Sequence, residues 1–360
     1  MSDRVRNGSV MTVTGPVSAA DIGVVMMHEH VLHDDVDTPS MFEPIAGALG
    51  ERLADAPITM DILGTLWRYP LANRENVRFT RADGVAEELA LLKAAGGSTV
   101  VEASTIGLHP DPEGLAQISH ESGIYVVAGC GYFVDALLPD WFDTRSIEEL
   151  AAGIVEDLRV GMSGTPIRAG IIGEVGTSPT ITVREEKSLR ASALAAIETG
   201  VAITVHLSHS VAPGADSHAA DKPGFDVLRI LDAEGMARDR VILDHLDEAQ
   251  DIDYAESLIN EGCIVGYDTF GTEWYWDNWK TWEPHDSRRV ADVAELCRRG
   301  HHRSIVLSQD VAMKRHLHRF GGLGFDHLLR SIVPMLRDAG VSDSQLDHML
   351  VQTPRRVLTT

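Results

Sequence analysis

Six residues carry the chemistry legible in this chain: His28, His30, Glu174, His206, His245 and Asp310. Each stands at the end of a short apolar run. HEH closes the first run, and residues two apart on a strand face the same way, so His28 and His30 can grip one cation together. Glu174 ends IIGEV, His206 ends ITVHL, His245 ends ILDHL and Asp310 follows VLSQ. Taken singly, each has a plainer reading. A lone histidine near a strand end is more often a satisfied core or loop residue, and a lone carboxylate is more often a helix cap or a solvated charge. Together they end five of eight such runs, and apolar strands do not end in inward charges without compensation, because burying an unpaired charge is costly. Neutral imidazoles and carboxylates suit zinc, and also manganese or cobalt. Four histidines and two carboxylates are enough for two divalent metal ions with a shared carboxylate. A water between two such ions loses a proton near neutral pH and becomes a hydroxide nucleophile.

The elements that must position these residues are the runs themselves: 22–28, 97–103, 123–129, 168–175, 201–207, 240–245, 263–269 and 304–309. They are short, rich in Val and Ile and almost continuously apolar, as strands buried on both faces are. Helical spacing fills 84–97, 146–162, 184–200, 224–235, 253–262 and 288–300, and again 325–340, where Pro334 is expected to kink the helix. Eight strand–helix alternations give a closed (β/α)8 TIM barrel or a doubly wound sheet. No GxGxxG follows the first strand, which disfavours the dinucleotide-binding version. Either version makes one α/β domain over residues 1–360 and places its site at the carboxyl ends of the strands. The long connections 31–82 and 270–287 would lie on that same face.

The net charge of −23 repels a phosphate backbone, so nucleic acid is not expected as a partner. No apolar run approaches the roughly 20 residues of a membrane span, and the first residues form no apolar leader segment. Cys130, Cys263 and Cys297 include no CxxC pair, which fits buried thiols in a reducing compartment. A cytoplasmic protein with a small-molecule substrate is the expectation.

Longer motifs surround the six residues: TGPVSAADIGVVMMHEHVLHD (14–34), VEASTIGLHPDPEGLAQISHESGIYVVAGCGYF (101–133), AGIIGEVGTSPTITVREEKSLRASA (169–193), VHLS (205–208), LSQD (307–310) and GGLGFDHLL (321–329). With these the chain resembles the phosphotriesterase family of the amidohydrolase superfamily over nearly its whole length. The resemblance implies a (β/α)8 barrel with two metals, His28, His30 and Asp310 matching the ligands of the buried one and His206 and His245 those of the exposed one. Many members bridge the pair with a carboxylated lysine; here that position is Glu174, as in a branch labelled phosphotriesterase-related. None of the five lysines falls in an assigned strand. Members of this branch look like hydrolases of amides or esters more than of organophosphates, and family members are often homodimers.

The expected reaction is attack by a metal-bridging hydroxide on a small carboxylic ester, lactone or amide, with Asp310 both a ligand and the proton carrier. The alternatives are a phosphotriesterase and a non-catalytic metal-bound barrel that serves as a binding protein. Tyr132 resembles a tyrosine of family lactonases and is expected to reach the substrate oxygen. Asp247 and Glu248 stand either as a proton relay or as helix-start charges. Trp274, Trp276, Trp279 and Trp282 stand as a substrate wall, a subunit contact or a lid, and the basic island of Lys314, Arg315, His316, His318 and Arg319 as an anion guide, a solvated face or arginines paired with acidic neighbours. Because Glu174 carries its own carboxylate, metal reconstitution should need no bicarbonate; reactivation assays with and without it should coincide, and a marked bicarbonate requirement would contradict the bridge.

Overall fold

The structure is a computed structural model that describes residues 8–34, 42–43, 45–209, 221–276 and 281–360. Trp279 and the side chain of Trp276 lie outside the described part. All eight expected runs form strands: β1 (Val24–Glu29), β2 (Gly97–Glu102), β3 (Tyr125–Cys130), β4 (Ile171–Thr177), β5 (Ile203–Leu207), β6 (Val241–Leu243), β7 (Ile264–Tyr267) and β8 (Ile305–Leu307). They pair in chain order, all parallel, as one eight-stranded sheet.

The two sides of each strand face different partners, with the period of two that a pleat imposes. Val25, Met27, Val101, Val127, Ile171, Ile242, Ile264 and Val306 meet in one buried cluster inside the barrel. Their neighbours Met26, Val100, Val126, Ile172, Leu243, Val265 and Leu307 pack outward against the helices. Val10, from the antiparallel hairpin of Ser9–Thr12 and Gly15–Ser18, joins the inner cluster together with Ile22, at the end of the barrel opposite the six residues.

The sheet closes at a seam between its first and last strands. The Asp310 N–H donates to the His28 carbonyl at 3.2 Å, and the His30 N–H to the Val311 carbonyl at 3.3 Å. Glu29, the middle residue of HEH, is fully buried there. Its carboxyl accepts from Ser308 Oγ (2.8 Å), the Gln309 N–H (3.1 Å) and the Val311 N–H (2.9 Å), and burial pushes its pKa up to about 8.

The helices begin and end where the local chemistry directs. α1 (Val85–Ala94) and α2 (Pro112–Ser122) are followed by α3 (Ile147–Arg159) and α4 (Val183–Thr199), both opened by capping boxes, Ser146 with Glu149 and Thr182 with Glu185. Such caps contribute about 1 kcal/mol each. α5 (Pro223–Glu234), α6 (Ile252–Asn260) and α7 (Asp286–Arg298) complete the ring up to β8. Beyond β8, a π turn over Leu328–Ile332 leads into α8 (Val333–Asp338), so Pro334 sits in the first turn of an α segment, where a missing N–H is tolerated.

The connection after β1 contains helices at Ala48–Leu53 and Met60–Arg68 and is tied to the connection after β8. Asn76, fully buried, is the knot. Its carbonyl accepts from the Lys314 N–H and its Oδ1 from the Arg315 N–H, both at 2.9 Å, while its Nδ2 donates to the Pro70 carbonyl at 2.8 Å. Among the described residues no helix is long and apolar enough to cross a membrane. All three cysteines are buried and unbridged.

Asp247 and Arg289 form a fully buried ion pair at 2.8 Å, and Asp247 also accepts from Thr269 Oγ1 at 2.6 Å. Asp247 is thus a buried ion-pair partner in the turn before α6, not a helix-start charge. Removing one partner of such a pair strands the other charge. Asp247→Ala should therefore destabilise the fold by about 3–5 kcal/mol, visible as an earlier denaturant midpoint; a midpoint within error of the parent would refute this account.

Candidate metal centre at the carboxyl face

The six residues converge at the carboxyl ends of the strands around Glu174. One of its oxygens, Oε1, lies 3.4 Å from His30 Nε2. The other, Oε2, lies 3.1 Å from His206 Nδ1, 3.4 Å from His28 Nε2 and 3.8 Å from His245 Nε2. Asp310 Oδ1 completes the group, 3.3 Å from His30 Nε2 and 3.9 Å from His28 Nε2. Two donors bound to one tetrahedral cation about 2.1 Å away stand about 3.4 Å apart, so these spacings are those of a coordination polyhedron. His28, His30 and Asp310 form one set and His28, Glu174 and His245 another, the ligand atoms of each lying within 4.8 Å of one another.

Two further observations fit divalent cations here. Both ring nitrogens of His28 and Oδ1 of Asp310 are buried without a hydrogen-bond partner among the described residues. Burial opposes protonation of His28, yet Glu174 and Asp244 hold its pKa well above the ordinary value. Burial likewise opposes protonation of His30, which Asp310 and Glu174 raise to about 9. The carboxyls of Glu174 and Asp310 are held low, against the effect of burial, by the imidazoles facing them. These carboxylates demand positive charge at the ring nitrogens, and a divalent cation supplies it without a proton. The two sides of the centre differ in access: the side chains of His28 and Glu174 are 1% exposed, those of His206 and Asp310 23% and 21%.

Local structure aims each ligand. Gly173 has φ 122°, and a Cβ there would meet the Thr204 carbonyl at 2.2 Å, so only glycine fits immediately before Glu174. His245 (φ 60°) and Asp310 (φ 52°) hold left-handed backbone conformations that disfavour side chains, a strain that persists where the surroundings over-determine it. At His245 the surroundings include Asp268, whose Oδ1 accepts from both the His245 N–H and Nδ1 at 2.9 Å. His30 Nδ1 pairs with Ser104 Oγ (2.9 Å), His206 Nε2 with Ser208 Oγ (3.1 Å), and His28 Nδ1 faces Asp244 Oδ2 (3.4 Å). These contacts leave Nε2 of His28, His30 and His245, and Nδ1 of His206, turned toward the centre. Sequence reasoning missed Glu29, Ser104, Asp244 and Asp268. Asp268 carried a usable signal, since it ends its run just as the six ligands end theirs.

Other expectations need correcting. Tyr132 does not reach the centre. Its hydroxyl donates to the Leu150 carbonyl of α3 at 3.1 Å, its ring packs on Phe142 in the core, and burial raises its pKa. The basic island is divided: Lys314, Arg315 and His316 are buried, while His318 and Arg319 are exposed. Lys314 pairs with Glu75 (2.8 Å) and Asp83 (2.9 Å), and His318 with Glu88 (2.9 Å). Trp274 is buried and stacks on His316, while Trp282 is exposed. Glu248 is half-buried, and burial with the neighbouring Glu283 raises its pKa.

Fold and cluster together define a (β/α)8 barrel with a six-residue candidate metal centre at its carboxyl face. The chain belongs to the phosphotriesterase family, whose model matches residues 8–358. It is 35% identical over 357 residues to an N-acetyltaurine hydrolase of Danio rerio, covering 98% of both chains. It is 33% identical over 360 residues to a phosphotriesterase-related protein of Nematostella vectensis, covering 98% of this chain and 99% of the relative. The crystal structure of a resiniferatoxin-binding protein from Rhodobacter sphaeroides superposes with a TM-score of 0.92 at 31% identity, covering 99% of this chain and 96% of that one.

Outer partners of a metal-binding imidazole commonly contribute 10–100-fold in metal affinity. Asp268→Ala should weaken metal retention by roughly that factor in competition with a chelator. Unchanged retention would show that His245 is no ligand or needs no orientation.

Proposed function

We propose that the chain is a divalent-metal hydrolase that cleaves the amide bond of small N-acyl compounds. The observation that carries this reading is the cluster on Glu174, with the partly exposed Asp310 carboxylate at its rim. The N-acetyltaurine hydrolase that matches along nearly all of its length supports the amide over the lactone or phosphotriester version. His28, His30 and Asp310 would hold one cation and His206 and His245 the other, with Glu174 between them; zinc, manganese and cobalt all suit these donors. Bound there, two divalent cations supply Lewis acidity and lower the pKa of water.

The rest of the work falls to the chain. In the net reaction the oxygen of water bonds to the acyl carbon, the C–N bond breaks and one proton moves to the departing nitrogen. Asp310, held ionised by the imidazoles beside it, takes that proton and releases it as the nitrogen becomes basic. Trp67, Phe270, Gln309, Val311, His316 and Leu323 line a hollow of about 10 Å³, room for about one water. Phe133 packs edge-on to His206 at 5.1 Å and shields its ring.

The test is product release by metal-loaded protein from N-acyl amines, lactones, aryl esters and phosphotriesters. N-acyl compounds should be cleaved fastest, activity should vanish on chelation, and zinc, manganese or cobalt should restore it. Turnover of phosphotriesters alone would overturn the proposal. Asp310→Asn should fold but lose roughly 10²–10⁴ in kcat, the range for a positioned proton carrier; full activity would remove Asp310 from that role.

A further inference from the structure

Arg315 is the anomaly of this fold. It is fully buried, and none of its Nε, Nη1 and Nη2 atoms has a hydrogen-bond partner among the described residues. Buried guanidinium groups are ordinarily matched by carboxylates or carbonyls, as Arg289 is by Asp247, Asp286 and Thr272, because an unmatched charge is expensive to desolvate. Here, among the described residues, only indoles answer it. The guanidinium carbon lies 4.5 Å from the Trp67 ring centre and 4.9 Å from that of Trp274. Contacts to the ring faces leave the in-plane N–H edge, the part that matches an oxyanion, unused.

A second unused donor stands beside it. His316 Nδ1 accepts from the Ala312 N–H at 3.3 Å, which leaves the proton on Nε2. That Nε2 is buried and has no hydrogen-bond partner among the described residues. Trp274 joins the two residues, stacking on the His316 ring at an interplanar angle of 7° while it contacts Arg315. His316 and Trp67 line one small hollow together with Gln309 and Val311, and the Asp310 carboxylate lies close enough to act on the His316 ring. Burial alone pushes the Arg315 pKa down to about 9, with no carboxylate opposing the shift, so the group still carries its charge at neutral pH and is held ready for an anion.

We propose that Arg315, with His316 Nε2, is the specificity-determining anchor for a carboxylate or sulfonate on the amine side of the substrate. Resting on the amide reading above, this names the substrate class as N-acyl amino acids or N-acyl aminosulfonates. The anchor also explains why the Arg315 backbone is fixed by Asn76: an oxyanion site needs its donors positioned before the ligand arrives.

Two non-hydrolysable probes, propane-1-sulfonate and butyrate, test the anchor without turnover. Calorimetric titration should show binding to the parent protein, weakened about 10–100-fold in Arg315→Met and less in Arg315→Lys, the factor for losing a charge-assisted bidentate contact. The two probes show which oxyanion the anchor prefers. In kinetics, Arg315→Met should raise KM for N-acetyl amino acids or N-acetyl aminosulfonates far more than it lowers kcat, collapsing their advantage over neutral N-acetyl alkylamines. The melting temperature of Arg315→Met should not fall, because the variant removes an unmatched buried charge. Failure of both probes to bind the parent, or equal binding by Arg315→Met together with a lowered melting temperature, would overturn the anchor and assign Arg315 a packing role. Probe binding that depends on Arg315 without any amine release would support the anchor and refute the amide reading, so the two fail separately.

Discussion

Closure of the sheet between its first and last strands is the constraint on which the site depends. His28 and His30 belong to β1, and Asp310 to the turn that follows β8, almost the full chain length away. They meet because Glu29, between the two histidines, collects hydrogen bonds from Ser308, Gln309 and Val311, and because backbone bonds join His28 to Asp310 and His30 to Val311. One strand end thus does two jobs. A register irregularity between Met26 and Glu29 breaks the alternation that puts Val25 and Met27 inside the barrel, so the even-numbered histidines turn toward the centre while the carboxyl between them fastens the wall. The bonds that close the barrel are the bonds that place the ligands.

Within that frame Glu174 divides the centre. Its two oxygens face different imidazoles, His30 on one side and His206 with His245 on the other, so a single side chain sets the spacing of both halves. The ligand positions are not relaxed. Two of them hold left-handed backbone angles, and four imidazoles are each fixed by a second contact. Such positions hold because the barrel core beneath them is continuous and can carry the strain.

The strands were legible because burial on both faces leaves an unmistakable apolar run, and the ligands because polar residues at the ends of such runs need a reason. What escaped depends on long-range contact. Nothing near Tyr132 in the chain shows that its hydroxyl turns to the Leu150 carbonyl of a later helix. Nothing in KRH distinguishes Lys314, whose ammonium finds Glu75 and Asp83, from Arg315, whose guanidinium among the described residues meets the rings of Trp67 and Trp274. Glu29 was hidden by its company, since a carboxyl between two histidines reads as part of their chemistry until its hydrogen bonds are seen.

Asn76 has a consequence for how this scaffold can diverge. It belongs to the long connection after β1, yet through its carbonyl and amide oxygen it sets the backbone of Lys314 and Arg315 in the connection after β8. The two connections are therefore one heritable unit. A drifting lineage cannot retune the segment carrying Trp67 while leaving the segment carrying Arg315 untouched, and a loop transplanted alone arrives without half of its supports. Selection for a new substrate would act on the pair as a cassette, with the asparagine as its clasp.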